Sequence, residues 1–159
     1  YISKQMTKAY LPSKIGMLHS NEFNKVDLND KSLLNEMISY GKVYYFVGQM
    51  LPCATTSVLM SRDSEDITNF ETHKKDIWNH MVKNQLFFKE DSDTKRRYIE
   101  PRPKTVEIAD QCPGMVGQWL GYEIVKSYMS NNEVTLQELM NTTDAKTIFN
   151  KSGFKSEVK

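Results

Sequence analysis

The stretch PGMVGQWLGYEIVKSYM, residues 113–129, decides the fold because its glycines recur at helical spacing. Proline suits the first turn of a helix, where its missing N–H costs nothing, so Pro113 predicts a helix start. At 100° per residue, Gly117 and Gly121 share one face with four large apolar residues, namely Leu120, Ile124, Val125 and Tyr128. An interior glycine costs about 1 kcal/mol relative to alanine. We therefore expect this face to press closely against a neighbouring element.

A second glycine-containing helix is predicted upstream, from about Lys31 to Leu51, with Asp30 as its cap. Apolar residues cover this segment nearly all round, which is the pattern of a buried helix. Gly41 and Gly48 lie two turns apart on its broad apolar face. We expect this helix to be central, with the two glycines as points of close contact.

The remaining helices follow from capping residues and apolar periodicity. Residues 1–17 predict a short helix interrupted at Pro12, and the polar residues 61–64 open a long helix that runs to about Phe88. That long helix would bury one face, formed by Ile67, Phe70, Ile77, Trp78, Met81 and Phe88. Because no hairpin signal occurs, we expect one all-α, multi-helix globular domain over residues 1–159.

The C-terminal part carries further helix signals. Thr135 and Glu138 form a capping box for a short helix. Residues 143–144 open a last helix that stops at Gly153, because glycine is the usual residue just past a helix end.

Two blocks of sequence carry a resemblance to a known family. The first is residues 113–129 together with TLQELM at 135–140 and DAKTIFNKS at 144–152, and the second is MISYGKVYYF at 37–46, followed by Leu51-Pro52. They resemble the C-terminal part of the gliding motility-associated lipoprotein GldB family. One departure is Met115, where a basic residue is expected after Pro-Gly.

The resemblance implies a non-enzymatic lipoprotein of the cell envelope that helps the gliding and associated secretion machinery through protein contacts. It also implies a signal peptide, a lipid-bearing cysteine and an N-terminal region before Tyr1. The membrane would then be reached only through a lipid anchor outside this chain, on the periplasmic or the outer-membrane side. Its partners would be envelope proteins of a motility or secretion complex.

The family is distantly similar to zinc peptidases, which suggests a degenerate zincin-like helical fold. Such enzymes use His-Glu-x-x-His and a further glutamate on a later helix. This chain has no His-Glu-x-x-His, and Tyr40 stands where the glutamate is expected, with Glu36 one turn earlier. We assign no catalytic, metal or cofactor residue here. The alternative function is a zinc-dependent peptidase, or an inactive remnant, whose metal site lies N-terminal to this chain.

Composition argues against several function classes. The 159 residues include 21 Lys and Arg and 20 Asp and Glu, so the net charge of +1 gives no field that favours nucleic acid. No apolar run reaches the ~20 residues of a membrane span. Cys53 and Cys112 are either a disulfide or, the alternative we favour, two free thiols.

The histidines and several aromatic residues are candidates for binding a ligand. His73 and His80 would lie ~10.5 Å apart along a helix, too far to share one ion, whereas Asp76 and His80 are spaced to share one. His19 is the remaining histidine of the chain. The aromatic residues Tyr40, Tyr44, Tyr45, Trp119 and Tyr122 would line a groove for carbohydrate or peptide, or pack in the core, which we favour.

The segment from Lys89 to Gln111 is predicted to be a long irregular connection, because it has charges, two prolines and no sustained period. It contains the basic residues Lys95, Arg96 and Arg97, followed by Tyr98. Arginine and tyrosine are enriched at interface hot spots, so these four residues are our candidate partner contact. The alternative is a disordered surface loop.

Overall fold

The computed structural model describes residues 7–154, and within them it is built from α-helices without a β-sheet. This confirms the all-α prediction. The helices are α1 (Leu11–Ser20), α2 (Leu33–Met50), α3 (Thr56–Met60), α4 (Ser64–Thr72), α5 (Lys74–Lys83), α6 (Ser92–Tyr98), α7 (Val116–Asn131), α8 (Leu136–Asn141) and α9 (Ala145–Ser152). Short 3-10 turns cover Lys8–Tyr10 and Leu86–Phe88.

Helices α2 and α7 form the centre of the molecule and make its most extensive helix pair. A Cβ atom added at Gly121 would overlap the backbone carbonyl of Met37, and one added at Gly41 would overlap the carbonyl of Gly121. The close approach expected from the glycine spacing is therefore confirmed at these positions.

The other two glycines make different contacts. A Cβ at Gly117 would come within 2.9 Å of the Tyr98 carbonyl oxygen and of Ile99 Cδ1. The lack of a side chain at Gly117 therefore lets the end of α6 pack closely against α7. A Cβ at Gly48 would lie 3.4 Å from Leu59 Cδ1, which is an ordinary van der Waals distance. The prediction that Gly48 is a point of close contact is therefore wrong, because no backbone approaches it.

The starts of the two central helices differ from prediction. Ser32, not Asp30, caps α2 by accepting a hydrogen bond from Asn35 N, while Asp30 accepts from Ser32 N. Pro113 lies outside α7, because Met115 takes a left-handed conformation with φ of 62° and the helix begins at Val116. Pro113 instead forms an isolated antiparallel β-bridge with Lys104.

The long helix predicted from residues 61–64 to Phe88 is wrong. The chain forms α4 and α5, which are separated at His73, and then the 3-10 turn at 86–88. The break changes which residues face inward: Phe70, Ile77 and Met81 are buried, whereas Phe88 is 57% exposed. A continuous helical period cannot hold across the break, so Phe88 leaves the shared face.

The predicted helix over residues 1–17 is also shifted. Residues 1–6 lie outside the described part, and α1 begins at Leu11 with Pro12 inside its first turn. Pro12 therefore starts a helix rather than interrupting one, since a first-turn residue needs no N–H partner.

The aromatic residues form the core, which confirms the favoured interpretation for most of them. Trp119 is fully buried and stacks on Phe70 with ring centroids 5.1 Å apart. Tyr44 and Tyr122 are both buried, and their rings pack edge to face with centroids 6.1 Å apart. Tyr40 is the exception, with 39% of its surface exposed.

A buried lysine joins three parts of the fold. Lys42 of α2 is only 1% exposed, and its Nζ donates to the carbonyl oxygens of Lys25 at 2.7 Å and Thr142 at 2.8 Å. These acceptors lie in the α1–α2 connection and just after α8. Burial lowers the pKa of the Lys42 ammonium to about 8. A neutral amine still has two N–H groups, one for each carbonyl.

We expect Lys42 to make stability depend on pH. Its folded pKa of about 8 lies below the ordinary lysine value of 10.5, so between these values the unfolded chain holds a proton that the folded chain has lost. Stability must then rise with pH across that window, by up to about 3 kcal/mol. Urea unfolding of the wild type and Lys42→Met at pH 7 to 10.5 tests this, because other titrations cancel in the difference. A difference independent of pH would contradict it.

Candidate partner-binding site

The candidate partner contact lies on α6, a helix inside the segment predicted to be irregular. The prediction of an irregular connection over 89–111 is therefore wrong for residues 92–98. Asp91 caps the helix, accepting from Thr94 N and from the Thr94 hydroxyl, both at 2.8 Å. These bonds to the charged form lower the pKa of the Asp91 carboxyl. Asp91 is a favourable N-cap residue and was the one sequence signal for this helix. The segment has no apolar periodicity, so the sequence did not predict a helix here.

Two of the four predicted contact residues point into the protein. Tyr98 is 4% exposed, and its hydroxyl lies 2.7 Å from His80 Nε2 on α5. The Lys95 ammonium pairs with the Glu36 carboxylate of α2 at 2.6 Å. A seven-residue helix must bury one face to stay in place, and these two side chains lie on that face. Tyr98 is thus not available to a partner, contrary to prediction.

The contact between Tyr98 and His80 fixes α6 against α5. Burial raises the pKa of the Tyr98 phenol, and burial lowers the pKa of His80. Both shifts favour the uncharged forms, in which one group donates and the other accepts. The role of His80 is therefore to position Tyr98.

The end of α6 is tied to the central helix pair through Gln118. The Gln118 amide donates from Nε2 to the Ile99 carbonyl at 2.7 Å, and its Oε1 accepts from the Tyr44 hydroxyl at 2.5 Å. Gln118 is only 3% exposed. Both of its polar atoms thus have partners, and α6 is held to α7 and α2 at once.

Arg96 and Arg97 form the outward face of α6. Together with Glu100, Pro101, Arg102 and Glu107 they line a surface depression of about 450 Å³. Arg96 pairs with Asp93 at 2.7 Å, and both side chains are about two-thirds exposed. The Arg97 guanidinium has no carboxylate within ion-pair distance among residues 7–154, although its charge helps to lower the pKa of the nearby Glu107 carboxyl, so it is available for an anionic group.

Arg102 and Glu107 build the far wall of this depression. Arg102 Nη1 donates to the Arg97 carbonyl and to Glu107 Oε1, each at 3.1 Å. Burial opposes ionisation of Glu107, but its hydrogen bonds and the nearby Arg102 outweigh burial and lower the pKa of the Glu107 carboxyl. Arg102 is thereby occupied, whereas Arg96 and Arg97 face outward.

The residues considered for metal binding are dispersed. His73 Nδ1 lies 3.5 Å from the Asp76 carboxylate, so Asp76 pairs with His73. His19, near the end of α1, has its Nδ1 3.9 Å from the Glu22 carboxylate just after the helix, and its ring packs edge to face on Phe23. Within residues 7–154 no three His, Cys, Asp or Glu side chains are arranged to hold a metal ion.

Tyr40 and Glu36, the positions compared with the peptidase pattern, line a groove of about 680 Å³ between α1 and α2. Tyr40 stacks on Tyr44 with ring centroids 6.5 Å apart. Burial, followed by the charges of Glu36 and Glu100, raises the pKa of the Tyr40 phenol. Both residues therefore have structural contacts: Tyr40 packs against Tyr44, and Glu36 pairs with Lys95.

The two cysteines are free thiols, as the favoured interpretation expected. Cys53 is exposed and Cys112 is buried, and burial raises the pKa of the Cys112 thiol to about 12. A thiol of such pKa stays protonated at neutral pH and is a weak nucleophile.

Comparison with known proteins decides the family. The model of the gliding motility protein GldB family matches residues 1–156, nearly the whole chain. The chain belongs to the GldB family. Searches of curated proteins and of solved structures gave no match. The resemblance in the two sequence blocks is confirmed, whereas the similarity to zinc peptidases has no support in these comparisons.

Membership in the GldB family associates this chain with gliding motility and with lipoproteins of the cell envelope. It also indicates involvement in a motility complex. None of the helices over residues 7–154 is both long and apolar enough to span a membrane.

Proposed function

We propose that this GldB-family chain is a non-catalytic binding component of the gliding and associated secretion machinery, and that Arg96 and Arg97 contact an acidic segment of an envelope protein. The proposal depends mainly on one observation, the outward pair of arginines on an anchored helix. Family membership supplies the setting.

The geometry of α6 supports this role for the arginines. A short helix held by the Asp91 cap, the Lys95–Glu36 pair and the Tyr98–His80 contact presents its outer side chains from a fixed backbone. Less conformational freedom is then lost on binding. Guanidinium groups bind carboxylates through two parallel hydrogen bonds, so an Asp- or Glu-rich partner segment fits best.

A binding role is also favoured over peptidase chemistry by the contacts of Tyr40 and Glu36. Tyr40 packs against Tyr44, and Glu36 holds Lys95 of α6. Glu36, one turn from the peptidase ligand position, thus helps to place the surface formed by Arg96 and Arg97, which we call the arginine surface.

The test is charge reversal in the full-length protein of the native host. Arg96→Glu with Arg97→Glu should reduce co-purification of envelope partners by about tenfold or more, because each carboxylate contact becomes repulsive. Stability should change by no more than about 1 kcal/mol, since both side chains are exposed and only the Arg96–Asp93 pair is lost. Quantitative mass spectrometry of the pull-down and thermal melts measure the two effects.

A matched control changes net charge by the same amount elsewhere. Lys31→Glu with Lys151→Glu alters two exposed lysines that do not line the depression. This control should keep its partners. Equal loss in both variants would indicate a non-specific charge effect, and undiminished partners with normal gliding in the arginine variant would contradict the proposed role.

A further inference from the structure

A second pocket, remote in sequence from the arginine surface, lies where α8 meets the α1–α2 connection and the C-terminal half of α2. Its volume is about 530 Å³. Small-molecule sites in proteins commonly have volumes of 300–1,000 Å³, with an apolar floor and a few polar groups at the rim. This pocket has the size and the layout of such a site.

The floor of the pocket is apolar and partly aromatic. Phe23 and Phe46 stack with ring centroids 5.7 Å apart and an interplanar angle of 20°, and Leu136 and Met140 of α8 complete the lining. Phe23 is 45% exposed despite its size. An apolar body that covered Phe23 would remove this ring from water, which favours binding.

The walls of the pocket are fixed by buried polar bonds. Lys25 N donates to the Met140 carbonyl at 2.9 Å, which joins the connection to α8. Behind them, Lys42 Nζ donates to the carbonyls of Lys25 and Thr142. The pocket is therefore formed in advance, and a ligand need not order its walls.

The rim of the pocket carries two amides and one charge of each sign. Gln137 and Asn141 supply amides from one side of α8, and Glu22 and Lys25 supply charges from the connection. The Glu22 carboxylate lies 3.9 Å from His19 Nδ1. The Lys25 ammonium has no acidic partner in the described residues 7–154, so it can pair with an anionic head group.

We propose that this pocket binds a small amphiphile with an apolar body and a carboxylate head. The apolar body lies on the Phe23–Phe46 stack and Met140, and the carboxylate pairs with Lys25. This site is independent of the arginine surface, and its ligand differs in kind from an acidic polypeptide.

The experiment titrates the full chain with three probes that share one tail: octanoate, octanol and octyltrimethylammonium. Methionine methyl groups labelled with carbon-13 report the site by NMR, because Met140 lines this pocket and Met17 lines the separate α1–α2 groove. Octanoate should shift the Met140 signal saturably and leave Met17 unmoved. Met140→Leu and Met17→Leu assign the two signals.

Two variants separate the contributions of tail and head. Phe23→Ala should weaken octanoate binding by about tenfold, since the tail loses an aromatic surface. Lys25→Gln should weaken octanoate by about threefold and leave octanol unchanged, as expected for one exposed ion pair. Leu18→Ala, in the α1–α2 groove, is the matched control and should have no effect.

Several results would overturn the proposal. They are an unmoved Met140 signal, equal movement of Met17, or binding that does not saturate. Octanoate, octanol and the ammonium probe binding equally well would overturn the assignment of the head group to Lys25.

Discussion

Replacing Gly121 with alanine is expected to destabilise the protein by about 3 kcal/mol or more, which makes it one of the two largest effects that we predict. The added Cβ would overlap the carbonyl of Met37, a backbone group that cannot rotate away. Helices α2 and α7 would have to separate, and overpacking of this kind typically costs 1–3 kcal/mol or more. Gly121→Leu should be worse still, because its larger side chain has no space.

Urea unfolding followed by circular dichroism measures this effect, with Gly48→Ala as the matched control. Gly48 lies within α2, the helix that packs against α7, but an added Cβ there meets only Leu59 Cδ1 at 3.4 Å and the Tyr122 hydroxyl at 3.9 Å. Alanine is a better helix former than glycine, so this variant should be neutral or more stable by up to about 1 kcal/mol. Equal stability of the two variants would mean that the helix pair accommodates the methyl group.

The second large effect is expected for Gln118→Leu, a change that nearly conserves side-chain volume. It removes one buried amide that bonds two groups, and it leaves the Tyr44 hydroxyl and the Ile99 carbonyl without these hydrogen bonds. Each unsatisfied buried group costs about 1–3 kcal/mol, so we expect a total loss of about 3 kcal/mol.

A double-mutant cycle with Tyr44→Phe checks the mechanism. Removing the Tyr44 hydroxyl as well leaves only the Ile99 carbonyl unsatisfied, so the double variant should be more stable than Gln118→Leu alone by about 1 kcal/mol. Stability of Gln118→Leu within about 0.5 kcal/mol of wild type would show that Gln118 does not hold α6 to the core.

The sequence located the basic residues of the candidate site but did not show which of their side chains point inward and which point outward. Lys95, Arg96, Arg97 and Tyr98 stand together in the chain, yet α6 turns the first and last inward and the other two outward. A residue's direction depends on which face of a helix is buried. The short α6 has no apolar stripe to reveal that face, because its inward contacts are an ion pair and a tyrosine.

The helix caps and the glycine spacing are features that the sequence determined by itself. The capping box of Thr135 and Glu138 forms as predicted, Asp144 caps α9 through Lys146 N, and Gly153 ends that helix with φ of 63°. The close approach at Gly121 also followed from spacing alone, since only backbone contact compensates for glycine inside a helix. The caps depend on neighbours within a few residues, whereas the glycine spacing indicates a close approach without identifying Met37 as the residue approached.

Only the tertiary structure decided the break at His73, the left-handed Met115 and the burial of Lys42. The first two are features of backbone geometry that no local pattern predicted, whereas the burial of Lys42 depends on contacts with distant parts of the chain. Lys42 shows the reason most clearly, because its hydrogen bond to Thr142 spans 100 positions. Lysine is ordinarily exposed, and it is buried here because folding brings two carbonyl groups to its ammonium.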